Sequence, residues 1–226
     1  MTPASPAHHN AAAAGAQPSP RWERRKERRP AELLAAALES FVEHGYAATR
    51  LDDIASRAGV SKGTLYLYFA NKEDLFKALV RENIVSLLER FRTEVENSAQ
   101  PSEALIGLFL HRWWSEFGAT PLAGIAKLIM AEAGNFPEVA RFFHAEVIEP
   151  NAALLGSILA RGIARGEFRP VDVESAAHLW IAPLVMKAIW SHSFDRCGLS
   201  CELLEPQQLL DAHLELILRA LRPVDR

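Results

Sequence analysis

Apolar residues recur along this chain at spacings of three and four, and no stretch alternates apolar with polar residues as a half-buried strand would. The pattern therefore predicts helices throughout. A first helix is expected over about Ala31 to His44, where Leu33, Leu34, Leu38, Phe41 and Val42 share one face, with Gly45 as its stop. Two short helices follow between Gly45 and Leu79. The first carries Ile54, Ala55 and Ala58 on its apolar side and stops at Gly59, a residue suited to the left-handed backbone just past a helix end. The second is expected over about Lys62 to Phe69, capped by Ser61, with Leu65 and Phe69 facing inward four residues apart. Asn71 then caps a long amphipathic helix in which Leu75, Leu79, Ile84, Leu87, Phe91 and Val95 repeat. With some 24 residues at about 1.5 Å each, it would be roughly 36 Å long. Beyond Gln100 the chain becomes more apolar, and Pro and Gly divide it into helices at about Ser102 to Phe117, Leu122 to Ala133, Pro137 to Arg165, Asp172 to Phe194 and Pro206 to Leu221. Pro150 and Pro183 fall inside two of these patterns, so a kink is expected at each.

The fold class that follows is all-α, with about nine helices. A tail at 1–20, rich in Ala and Pro, is expected to be disordered. A basic arm with a three-helix DNA-binding domain would occupy 21–75, and a larger helical domain 76–226. Two short helices set at an angle by a tight turn form a helix-turn-helix, whose second helix enters the major groove.

The segment GYAATRLDDIASRAGVSKGTLYLYFANKEDLFKAL carries more than a helical hairpin requires. Thr49, the run from Ile54 to Val60, the run from Ser61 to Phe69 and the exit from Asn71 to Leu75 stand in one register. In this it resembles the DNA-binding domain of TetR/AcrR-type transcriptional regulators. The resemblance implies phosphate contacts from Thr49 and Arg50, and base or phosphate contacts from Ser61, Lys62, Gly63 and Thr64. It places Tyr66 near a base edge or thymine methyl, and Tyr68 and Lys72 on phosphate. It also implies a homodimer paired through the last two helices, double-stranded operator DNA as partner, and a small-molecule effector whose binding releases the repressor. A looser similarity to one subset of the family's C-terminal domains lies in AEAGNFPEVARFF, Ala131 to Phe143.

Charge changes the picture at one point. The formal net charge of -3 looks unsuited to DNA, but 21–72 carries +3 and the chain beyond carries -6. A polyanion is steered toward the basic end. Six of the ten residues in RWERRKERRP are basic, so Arg24, Arg25, Arg28 and Arg29 are candidate phosphate or minor-groove contacts beside the reading head.

The resemblance implies an effector site between helices of the second half, where four of the five tryptophans fall. Candidate cavity residues are Trp113, Trp114, Phe117, Met130, Phe143, His144, His178, Met186 and Trp190, and an aromatic or otherwise apolar effector is expected. The competing role for each is ordinary core packing. Two cysteines, Cys197 and Cys201, with His192 nearby, leave open a thiol- or metal-responsive regulator of the same fold, although a closed zinc site needs more ligands than this spacing supplies. No metal or cofactor is assigned.

Other classes fit less well. The chain has no nucleophile elbow and no H-E-x-x-H motif, so an all-α enzyme finds no support. A structural DNA-binding protein without effector control would not need about 125 residues after Gln100. The N-terminal stretch lacks the basic start and long apolar run of a signal peptide, and with two cysteines a reducing cytoplasm is the expected compartment, with no membrane partner.

Overall fold

A computed structural model describes residues 21–194 and 205–223, with side chains described from Arg29 onward. Among the described residues there are nine helices and no strand. Helix α1 is Arg21–Ala48, α2 is Leu51–Arg57 and α3 is Lys62–Tyr66. Helix α4 covers 72–97, α5 covers 102–118, α6 is Ala123–Glu132 and α7 is Pro137–Ala164. Helices α8, Val173–Phe194, and α9, Pro206–Leu221, complete the order. The tail at 1–20 and both cysteines, Cys197 and Cys201, lie outside the described residues.

The first helix starts ten residues earlier than its apolar stripe predicts, at Arg21 instead of Ala31. The basic run is thus helical, which suits its content of Arg, Lys and Glu, residues of high helix propensity. Gly45, at φ 81°, interrupts the helix where the sequence places its end, and one more turn follows to Ala48. The third helix is shorter than expected. It ends at Tyr66, and Tyr68 N–H bonds instead to the Leu65 carbonyl in a tight turn.

Three of the long helices contain a π-helical turn: Arg81–Val85 in α4, Trp114–Gly118 in α5 and His144–Ile148 in α7. Each such turn inserts one residue and rotates the following side chains by about 100° relative to an uninterrupted α-helix. At Pro150 the expected disturbance takes this form, since His144–Ile148 directly precedes it. Helix α8 runs continuously through Pro183.

Two apolar cores hold the helices together. One gathers Leu33 and Phe41 of α1, Ile54 of α2, Leu65 of α3 and Phe76 of α4, and continues into Ile125 of α6 and Phe143 of α7. The second lies farther from the helix-turn-helix and joins Phe109 of α5, Leu155 of α7, Trp180 of α8 and Leu210 of α9. Trp113 and Trp114 pack against both. Helix α7 is long and apolar enough to cross a bilayer by length and composition, yet Leu154, Leu155, Ile158 and Leu159 are buried in the second core.

Candidate nucleic-acid interface and effector cavity

The helix-turn-helix is built by local chemistry. Gly59 takes φ 65° at the corner, Val60 N–H bonds to the Ala55 carbonyl at 2.9 Å, and Ser61 Oγ accepts from Thr64 N–H at 3.1 Å. Leu65 is fully buried, which fixes the opposite side of α3 outward. That outer side carries Lys62, Gly63, Tyr66 and Leu67, all exposed, with Leu67 at 82 %. Only the Ser61 hydroxyl lies within 4 Å of the space a side chain at Gly63 would take, so the backbone there can be approached closely. Lys62 Nζ sits 2.8 Å from Asp52 Oδ1 and 6.0 Å from the Tyr66 ring centroid. The Asp52 carboxylate raises the Lys62 pKa above its ordinary value.

Two residues for which phosphate contacts are expected have their side chains engaged within the protein. Thr49 is buried, and its hydroxyl donates to the Gly45 carbonyl at 2.6 Å or to that of Ser40 at 3.1 Å, so the side chain closes the end of α1. Lys72 Nζ donates to the carbonyls of Tyr46 at 2.6 Å, Ala47 at 3.1 Å and Thr49 at 3.1 Å, and stands 4.6 Å from the Tyr46 ring centroid. These acceptors match the three protons of an ammonium group. Lys72 is a clasp on the last turn of α1, and burial lowers its pKa. Arg50 is exposed, and Tyr68 is half-buried with its ring 6.5 Å from that of Phe69. Arg29 lies 3.5 Å from Glu32 within α1. The side chains of Arg24, Arg25 and Arg28 lie outside the described residues. Leu67 is the exposed residue missing from the expected set; its isolation from the Leu65/Phe69 face was the available signal.

A cavity of about 450 Å³ lies between α4, α5, α6, α7 and α8. Trp113, Phe117, Met130, Phe143, His178 and Met186 line it, as do Ala126, Ile181, Val185 and Asn151, which are neither aromatic nor sulfur-bearing and lie outside the expected set. The i, i+3, i+4 and i+7 series from His178 through Ile181 and Ala182 to Val185 was the readable sign of that wall. All three π-helical turns border the cavity, through Ile84, Phe117, Val147 and Ile148. Among the described residues that line it there is no Asp, Glu, Lys or Arg. Met130, Ile148 and Met186 are each exposed, so the cavity opens on one side between α6, α7 and α8.

Trp114, His144 and Trp190 do not line this cavity. Trp114 and His144 each begin a π-helical turn, which redirects the face they share with their neighbours. Trp114 is packed over Gly118, where even a Cβ would come within 2.7 Å of its ring, and His144 faces solvent with Nδ1 3.2 Å from Glu149 Oε1. Trp190 packs against Phe194, with ring centroids 4.9 Å apart and the planes tilted by 39°. His192, the histidine near the two cysteines, has its Nε2 3.1 Å from the Thr120 carbonyl, and His213 Nε2 is 2.7 Å from that of Trp180. Among the described residues no three His, Cys, Asp or Glu side chains converge as a metal site would require.

Helix α6 touches both regions. It supplies Ala126, Ile129 and Met130 to the cavity, approaches α1 so closely at Gly124 that a Cβ would stand 2.8 Å from Val42 Cγ2, and ends at Glu132, whose Oε1 accepts from Ala47 N–H at 3.4 Å.

The chain is similar to known transcriptional regulators. Residues 33–79 match the family described as bacterial regulatory proteins, tetR family, and residues 106–196 match a tetracyclin repressor-like C-terminal domain. The fatty acid metabolism regulator protein of Bacillus subtilis is 30% identical over 157 residues, covering 68% of this chain and 79% of that one. The transcriptional repressor KstR2 of Mycobacterium tuberculosis is 35% identical over 149 residues, covering 65% of this chain and 72% of its own. Among solved structures, the regulator FadR from Bacillus subtilis in complex with stearoyl-CoA superimposes with a TM-score of 0.71 at 25% identity, covering 85% of this chain and 99% of that one. The chain belongs to the TetR family of bacterial transcriptional regulators.

Proposed function

We propose that this regulator is a repressor, acting in the cytoplasm as a homodimer on near-palindromic operator DNA, and released by an apolar effector of the acyl type. The observation that carries the reading is the charge-free cavity of about 450 Å³, whose α6 wall continues into contacts with the last turn of α1. Residues 21–75 would form the DNA-binding part and 76–226 the effector and dimer part, with α4 continuous across the division. Recognition would fall to Lys62, Gly63, Thr64, Tyr66 and Leu67, with Arg50 and the basic run Arg21 to Arg29 on phosphate. Ser61 serves as the cap that orients them.

Pairing through α8 and α9 is supported by the apolar side chains they leave in solvent, Leu179 at 73 %, Met186 at 57 % and Leu216 at 67 % exposed. Such a stripe is costly to leave wet and is self-complementary about a two-fold axis. The acyl character of the effector comes from the relatives named for fatty acid metabolism and from the stearoyl-CoA held by one of them. A long chain suits the apolar lining, and a charged head group would stay outside the open side rimmed by Met130 and Met186. An effector shifts the protein between states only by binding one of them better, so a ligand that moves the α6 wall lowers DNA affinity by that difference.

Titrating the protein with long-chain acyl-CoA while following Trp fluorescence tests this assignment. Saturable quenching at micromolar ligand supports it. A silent titration that instead responds to a sugar, a nucleotide or a metal ion overturns it.

A further inference from the structure

Helix α6 meets α1 at two levels, and the two contacts differ in kind. Near its start Gly124 lies against Val42 with no room for even a methyl group, and one turn on Lys127 Nζ donates to the His192 carbonyl in the last turn of α8 at 2.9 Å. This half of α6 is therefore fixed from two sides. At its last residue, about 12 Å along the axis from Gly124, the contact with α1 is polar: Glu132 Oε1 accepts from Ala47 N–H at 3.4 Å and stands 3.5 Å from the place a Cβ would take at Gly45. Between the two contacts, Ile129 and Met130 line the cavity.

The Glu132 carboxylate is held ready for this role by its own surroundings. Its other oxygen accepts from Asn135 Nδ2 at 3.2 Å, in the turn that closes α6. Its charge also acts on the ammonium group of Lys72, where it opposes the lowering of the pKa by burial. Lys72 is the first residue of α4, follows α3 by a single short turn and donates to the Ala47 carbonyl at 3.1 Å. A carboxylate from the cavity wall, the two backbone groups of Ala47 and an ammonium from the exit of the helix-turn-helix thus form one polar node. The bond to Ala47 N–H is near the outer limit for a hydrogen bond, so a displacement of about 0.5 Å breaks it. The Gly124 contact has no comparable slack and acts as a pivot.

We infer that Glu132 is the positioning residue that ties occupancy of the cavity to the reading head: a ligand that displaces Ile129 and Met130 pivots the end of α6 about Gly124 and draws Glu132 away from Ala47. This rests on the reading of the cavity as the effector site. Without ligand the tie holds the Gly45 to Thr49 corner in place for DNA. With ligand the tie is broken, so effector binding bears its cost. Removing the tie therefore weakens operator binding and tightens effector binding, and the two sites lose the free energy that coupled them. A residue that only supported the fold would weaken both when removed.

The test uses the full-length protein, stearoyl-CoA as the probe and a labelled operator duplex selected from random sequence with this protein. Operator Kd is read by fluorescence anisotropy with and without saturating stearoyl-CoA, and the Kd for stearoyl-CoA by Trp fluorescence without DNA. In the wild type the ligand should raise operator Kd at least about tenfold. In Glu132→Ala that ratio should fall to within about threefold, with operator Kd raised in the absence of ligand and stearoyl-CoA held at least about threefold tighter than by the wild type. Glu132→Gln keeps an oxygen that can accept from Ala47 N–H and should retain a ratio of at least about fivefold. A Glu132→Ala ratio equal to that of the wild type overturns the inference, as does stearoyl-CoA binding that weakens together with operator binding. Glu132→Gln as uncoupled as Glu132→Ala overturns the hydrogen bond as the link. In each of these cases the wild-type ratio still supports the cavity as effector site. If the wild type itself fails to bind stearoyl-CoA, or binds it with no change at the operator, the effector reading falls and this inference falls with it.

Discussion

Lys72 shows what a residue-level description adds to a motif. The resemblance assigns it to phosphate, whereas its ammonium group is already surrounded by the carbonyls of Tyr46, Ala47 and Thr49. Lys72→Met should then cost about 1–3 kcal/mol of stability in urea unfolding, from carbonyls stripped of a charged donor. It should leave the salt dependence of DNA binding nearly unchanged, whereas loss of a phosphate contact would reduce the slope by about one. Beneath this clasp lies Tyr46, stacked on Phe41 at 5.6 Å and held edge-on by Phe136 at 4.8 Å. Burial, aided by Glu73 and Glu138, pushes its pKa up to about 12 from 10.0. Its folded pKa lies above its unfolded one, so this stabilisation is complete below pH 10.0 and is lost as pH rises toward about 12. Alkaline unfolding curves should show that loss, at most about 2–3 kcal/mol, and Tyr46→Phe should remove it. Neither role could be read from sequence, because the carbonyls that Lys72 binds lie 23 to 26 residues away along the chain.

At the level of elements, what was legible is what is local. Gly59 at the corner, Ser61 and Asn71 as caps, and the inward Leu65 follow from rules that act within a turn of helix, and the structure has each of them. The π-helical turns obey no such visible rule. A single inserted residue turns a helix face by about 100°, and Trp114 and His144, each at the start of such a turn, stand off the wall that Trp113, Phe117 and Phe143 line. The aliphatic part of the wall was missed for another reason: Ile181 and Val185 look like any core residue until the helices are assembled. Helix α6 is the element that connects cavity and reading head, and Gly124 is its point of closest approach to α1. Gly124→Val should force the two helices apart, at a cost of about 1–3 kcal/mol in thermal or urea unfolding. It should also weaken operator binding without any change at the DNA surface. On that surface, Leu67→Glu should reduce operator affinity at least about tenfold by placing a carboxylate against phosphates, with stability within about 0.5 kcal/mol of wild type because the side chain is 82 % exposed.

Across the whole molecule, a basic reading head and a charge-free cavity share α4 and are bridged by α6. Helices α8 and α9 carry the exposed apolar side chains Leu179, Met186 and Leu216. Helix α8 takes part in both, since Ala182 and Met186 line the cavity and face outward, so dimer pairing would bring the partner subunit close to its open side. The ion pair of Arg81 with Glu146, at 2.8 Å, ties α4 to α7 beside that cavity and limits how far the two can part. The account stands on occupancy of the cavity being felt at the operator. The direct measurement is the fluorescence anisotropy of a labelled operator duplex, selected from random sequence with this protein, titrated with the protein in the absence and presence of saturating stearoyl-CoA. The account predicts an apparent Kd at least about tenfold higher with the ligand. An unchanged Kd, with ligand binding verified in the same sample by Trp fluorescence, would contradict it.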